Sequence, residues 1–95
     1  AQTQPPTTTV PPQTVRIHIN NFSFGAAQTV RVGDTVIWVN DDASDHSIRG
    51  GFVPGGESER LRNGQEFQLT FKASGTFNYE CGVHPGMMGT VVVKP

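Results

Sequence analysis

The one cysteine of this chain stands in Cys81-Gly82-Val83-His84-Pro85-Gly86-Met87, where a thiol, an imidazole and a thioether follow one another at equal intervals. A thiolate is a soft donor, imidazole is borderline and a thioether is weak and soft, so the set suits Cu(I) and Cu(II) rather than magnesium or calcium. One coordination position is left for a ligand from elsewhere. His46 fits it, because it follows the strand-like run Thr35-Val36-Ile37-Trp38-Val39-Asn40, which a fold can carry across to the cysteine loop. Two histidines and a cysteine in a trigonal plane, with a long axial methionine, make a blue-copper electron-transfer site. The candidate ligands are therefore His46, Cys81, His84 and Met87, and the expected cofactor is one copper per chain. The plain alternative treats the cysteine as a small buried residue, the methionine as a gap filler and His84-Pro85 as a turn. That all three coincide at this spacing speaks against it. Zinc is served by cysteine and histidine, but structural zinc sites rarely recruit methionine.

The elements that must position these residues read as short strands. Val15, Ile17 and Ile19 alternate with Arg16, His18 and Asn20, a period of two with one buried face. His18 then points outward, a solvated histidine with nothing nearby to complete a site. Runs at 29–32 and 35–40 are joined by Gly33-Asp34, a two-residue turn signal that predicts a hairpin. The segment from Arg49 to Gly56 holds too much glycine and proline for regular structure, and Glu57 to Arg62 reads as loop or exposed edge. Phe67, Leu69 and Phe71 share one face of the next run. Phe77, Tyr79 and Cys81 share one side of the following one, so that strand ends with its sulfur directed inward. Gly89 to Val93 closes the domain. About seven to eight short strands with no helical periodicity predict an all-β sandwich of two sheets.

Composition bounds the rest. The chain has 95 residues and a formal net charge of −1, with no basic stripe for nucleic acid and no polybasic segment for a membrane surface. Residues 1–14 are rich in proline and threonine and almost free of large apolar groups, which predicts an extended flexible tail, either a spacer to an anchor or partner or a frayed terminus. The copper-binding domain is then 15–95, with roughly 80 residues available to fold, a small core that a bound metal would stabilise. A lone thiol in an exported protein is protected when it is buried or held as a metal thiolate. No apolar run reaches membrane-spanning length, and the absence of a starting methionine or signal pattern predicts a mature or trimmed product, which leaves room for an upstream anchor.

Trp38-Val39-Asn40 leading to His46, then Phe77-Asn78-Tyr79-Glu80-Cys81, His84-Pro85, Met87 and Gly89-Thr90-Val91-Val92-Val93, resemble the cupredoxins, the small blue-copper proteins that include plastocyanins and, most similar in pattern, amicyanins. The resemblance covers about residues 15 to 95. It implies a Greek-key β-sandwich with copper near one end, a function in one-electron transport, and ligation by His46, Cys81, His84 and Met87. The short interval between His84 and Met87 is the amicyanin arrangement. Met88 competes for the axial role, but Met87 keeps the following strand in register with that family. The resemblance further implies an extracytoplasmic, periplasmic setting, His84 presenting its ring edge as the electron port, and transient docking of a redox donor and acceptor nearby. A monomer is the default.

Two departures from that family carry chemistry. Val83 stands where a proline is common, and its N–H offers a second donor to the thiolate. Ser47 stands where asparagine often ties the two ligand loops together; with a shorter side chain, either the loops approach more closely or the tie weakens. Asp41, Asp42 and Asp45 before His46, and the later pair Glu57 and Glu59, read as ordinary solvated carboxylates interspersed with Arg49, Arg60 and Arg62, the alternative being that they steer a basic partner. Other function classes fit less well. A multicopper oxidase needs more histidines, and only His18 is spare. A Cys-His hydrolase leaves Met87 without a role. A periplasmic copper chaperone or storage protein remains the alternative, distinguished from a carrier by reversible redox cycling.

Overall fold

The computed structural model describes residues 11–95; the expectation for the tail falls, at residues 1–10, outside them. Six strands follow in order: β1 (Thr14–Ile19), β2 (Gln28–Arg31), β3 (Thr35–Asn40), β4 (Glu66–Thr70), β5 (Gly75–Glu80) and β6 (Met88–Lys94). They form two three-stranded sheets, β1-β3-β4 and β2-β6-β5. A 3-10 turn at Pro54–Gly56 is the only other regular element among the described residues. Apart from this turn, the stretches read as loop or exposed edge carry only isolated bridges, His46 with Leu61 and Arg49 with both Glu57 and Glu80.

Alternation builds the core as expected. Ile17 and Ile19 are buried while Arg16 and His18 are exposed, and the buried faces of both sheets meet around Trp38, with Val36, Ile48, Tyr79 and Val91. The Gly33-Asp34 turn, however, does not close a hairpin. β2 pairs in parallel with β6, whereas β3 pairs in parallel with β1 and antiparallel with β4, so the turn carries the chain from one sheet to the other. The reason lies in Asp34. Its buried carboxylate accepts the Arg31 and Gln13 N–H groups, while Gly33, at φ +99°, donates to Phe71 O. The turn is bonded to three other segments and leaves the β2 edge free for β6.

Tyr79 fixes the close packing beneath β6. A Cβ on Gly89 would lie 2.7 Å from Tyr79 Cε2 and nearer still to Cζ, so only glycine admits the ring at this pair. Burial pushes the Tyr79 hydroxyl up to about 12. Between an ordinary value near 10 and that raised one, the folded chain holds a proton that the unfolded chain has lost. Stability is therefore full below about pH 10 and falls as pH rises towards about 12, by on the order of 2 kcal/mol. Denaturant midpoints measured across that range check this, with Tyr79→Phe expected to flatten the slope.

Candidate metal centre

Asn40 ends β3 fully buried and organises the loop that follows. Its amide donates to Ser44 O at 2.9 Å and Leu61 O at 2.7 Å, and its carbonyl oxygen accepts the Asp42 N–H at 2.8 Å. Backbone bonds between His46 and Leu61, and between Arg49 and Glu80 of β5, then lay the segment 46–49 between the sheets beside the end of β5. This is how a histidine from one sheet reaches the cysteine of the other. The cysteine loop is closed by Cys81 N–H donating to Met87 O at 2.8 Å, with Gly86 at φ +86° turning the chain back into β6.

Three of the four expected ligands converge. Cys81 Sγ lies 3.7 Å from His46 Nδ1 and 3.8 Å from His84 Nδ1, and one donor atom from each residue falls within 4.8 Å of the others. Metal bonds of about 2.3 Å to sulfur and about 2.0 Å to imidazole nitrogen, opened to roughly 120°, separate S from N by about 3.7 Å. The spacing is that of ligands sharing an ion in a trigonal plane, so the donor set fits copper. Met87 rides on the same loop and is buried at 7% exposed, whereas Met88 is 65% exposed. His18 stands apart, exposed and bonded to Asp41 at 2.8 Å.

The surroundings set the state of each ligand. Asp42 Oδ2 lies 2.8 Å from His46 Nε2; an ionised carboxylate can only accept, so the ring proton sits on Nε2 and Nδ1 turns its lone pair to the sulfur. The Phe22 N–H beside Asp42 holds its carboxyl below the usual carboxylate range, with the His46 ring and the Asn21 N–H adding to the effect and burial opposing it. Cys81 Sγ accepts two N–H groups at 3.4 Å, from Ser47 and from Val83, the donors a metal-bound thiolate would use. His84 is half-buried, its Nε2 lying 3.3 Å from Ser44 Oγ. Phe22, itself exposed, stands edge-on to both imidazoles, with ring centroids 5.4 Å from His46 and 5.0 Å from His84.

Sequence reasoning missed part of this shell. Asp42 is not an ordinary solvated carboxylate, since its side chain is 11% exposed and bonds the buried His46 ring. Its position four residues before His46 is the one signal that could have marked it. Phe22 gave no signal, because its place over the histidines follows from a left-handed turn at Asn21 and Phe22, where both N–H groups bond Asp42. For Ser47 the loops do approach closely: Gly82 N–H donates to Ser47 Oγ at 3.0 Å.

Residues 13–94 match the family model described as copper binding proteins of the plastocyanin/azurin family. The chain is 42% identical over 71 residues to amicyanin of Paracoccus denitrificans, a match covering 68% of this chain and 53% of that protein. It is 32% identical over 89 residues to amicyanin-alpha of Methylorubrum extorquens, covering 88% and 75%. Among solved structures, an oxidised amicyanin carrying a proline-to-alanine substitution superposes with a TM-score of 0.79 at 32% identity, covering 85% of this chain and 82% of that one.

Proposed function

The chain belongs to the plastocyanin/azurin family of copper-binding proteins, and on that premise we propose that it is a one-electron carrier built on a single type 1 copper. The observation that carries the reading is a buried cysteine sulfur approached by two imidazole Nδ1 atoms at 3.7 and 3.8 Å. His46, Cys81 and His84 would hold the copper, with the Met87 thioether as a weaker donor. When bound, copper would supply a Cu(II)/Cu(I) couple for one-electron transfer. The protein's residues do the rest. Asp42 holds the His46 ring, the Ser47 and Val83 N–H groups share the thiolate's charge, and burial of Cys81 and His46 keeps water out.

His84 is the less buried imidazole, so the electron enters and leaves at its edge. A redox donor and a redox acceptor dock there in turn, against a surface of Phe22, Pro85 and Gly86 that lacks charge and suits brief, small contacts. The proline- and threonine-rich residues 1–12 serve as a spacer ahead of the folded domain, which begins with Gln13 and β1 two residues earlier than position 15 and works as a monomer outside the cytoplasm, in the periplasm, free or tethered. Burial of the sulfur favours this carrier over a chaperone that hands on Cu(I) through exposed ligands, and over an enzyme, which needs an open position for substrate. Adding one equivalent of Cu(II) should give an intense thiolate-to-copper absorption that bleaches on reduction and returns on reoxidation. A colourless complex from folded, thiol-reduced protein would defeat the reading.

The Val83 N–H gives a second expected result. Val83→Pro removes one of the two donors to the sulfur, leaving a more electron-rich thiolate that favours Cu(II). The midpoint potential should fall by on the order of 60 mV, one tenfold step for a one-electron couple. Protein-film voltammetry reads it directly, and a rise would contradict the role assigned to this hydrogen bond.

A further inference from the structure

We propose that Glu57 is a positioning carboxylate that holds the potential of the metal centre down, acting through the Ser47 hydroxyl. The inference rests on the copper-carrier reading. Ser47 is fully buried between the two ligand loops, one residue after His46. Its hydroxyl donates to Glu57 Oε2 at 2.8 Å and accepts the Gly82 N–H at 3.0 Å, while its own N–H donates to Cys81 Sγ. Glu57 thus stands at the end of a hydrogen-bonded chain that runs into both loops, directly behind the residue that follows the cysteine.

The carboxylate occupies a seat built for it. A Cβ on Gly82 would lie 2.6 Å from Glu57 Cδ, closer still to Oε2, and 2.7 Å from Ser47 Oγ. Any other residue after Cys81 would therefore expel the carboxylate or part the loops. The backbone around Glu57 is held in the same place: Glu57 bridges Arg49, Ser58 N–H donates to Ile48 O, and Ile48 N–H donates to Ser58 Oγ. Among the described residues Glu57 makes no ion pair, and the neighbouring Arg49 approaches Glu80 instead.

An unpaired negative charge near the centre stabilises the oxidised, more positive state over the reduced one. Ser47 ties that charge to the site, its hydroxyl bonded to Glu57 and to the Gly82 N–H while its own N–H serves the sulfur. Glu59 lies two residues on, exposed as Glu57 is but, among the described residues, without its side-chain bond to Ser47, and provides the control.

The test compares midpoint potentials of copper-loaded wild type, Glu57→Gln and Glu59→Gln at two ionic strengths. Glu57→Gln keeps the shape and an acceptor while removing the charge, so its potential should rise clearly more than that of Glu59→Gln, and the difference should shrink as salt screens the exposed part of the charge. Equal shifts, or none, in a Glu57→Gln protein that keeps its visible absorption overturn the proposal. Should Glu57→Gln fail to fold, Ser47→Ala tests the same chain. In the metal-free protein it should speed exchange of the Gly82 amide hydrogen, and unchanged exchange there would sink the linkage. A wild type without the thiolate-to-copper absorption refutes the carrier reading itself, an outcome separate from both.

Discussion

Cys81→Ser should abolish the visible thiolate-to-copper absorption entirely and weaken copper binding by well over the roughly 10–100-fold that loss of an outer-shell partner costs. Serine offers a neutral hydroxyl in place of a soft anionic sulfur, leaving two imidazoles and a thioether, a set with no anionic donor. The loss is attributable to chemistry because the fold should survive. Cys81 is buried, and a serine Oγ at the same place would face the Ser47 and Val83 N–H groups as donors and two imidazole nitrogens as acceptors. Every polar atom introduced therefore finds a partner. Copper titration followed by absorption and calorimetry checks the prediction, with far-ultraviolet circular dichroism establishing that the variant is folded. A Cys81→Ser protein that still turned intensely blue would remove the thiolate from the site.

That the ligand loop was legible in the sequence and its supports were not has a physical cause. Cys81, His84 and Met87 lie on one short loop, so their spacing alone brings them near each other. His46 was legible through the strand before it, because Trp38 and Asn40 are buried where alternation puts them. The same alternation gave the inward face of Phe67, Leu69 and Phe71 and the inward sulfur at the end of β5. Asp42 and Glu57 look alike in sequence, loop acids among arginines, and what separates them from Asp41 and Glu59 is the approach of a segment far along the chain. For Asp42 that segment is the turn at Asn21 and Phe22; for Glu57 it is Ser47 and Gly82. The Gly33-Asp34 turn fails similarly. A two-residue turn signal states that the chain reverses, but whether the next strand pairs with the last depends on which edge is free, and here β6 and β1 take the two partners.

The second large effect joins the core to the metal. Trp38 is wholly buried at the centre of the sandwich, tilted against Phe67, stacked with Phe52 and edge-on to Tyr79. Trp38→Ala removes that packing and leaves a cavity, at a cost of about 3–5 kcal/mol. A domain of this size has roughly 4–12 kcal/mol in all, so the metal-free variant should melt more than about 12 °C lower or fail to fold. Copper present at about a thousand times its dissociation constant restores about 4 kcal/mol, which is comparable to the loss. The expected result is a Trp38→Ala protein that is unfolded or nearly so without copper and folded with it, a dependence the wild type shows only as a rise in melting temperature. Trp38→Phe should be much milder, because the indole N–H is buried without a hydrogen-bond partner, and phenylalanine removes that unsatisfied donor along with part of the volume. Thermal unfolding of the three proteins with and without copper decides the matter. A metal-free Trp38→Ala that melts within a few degrees of wild type would mean the core does not depend on this side chain, and that the site stands on the loop bonds of Asn40, Arg49 and Glu80 instead.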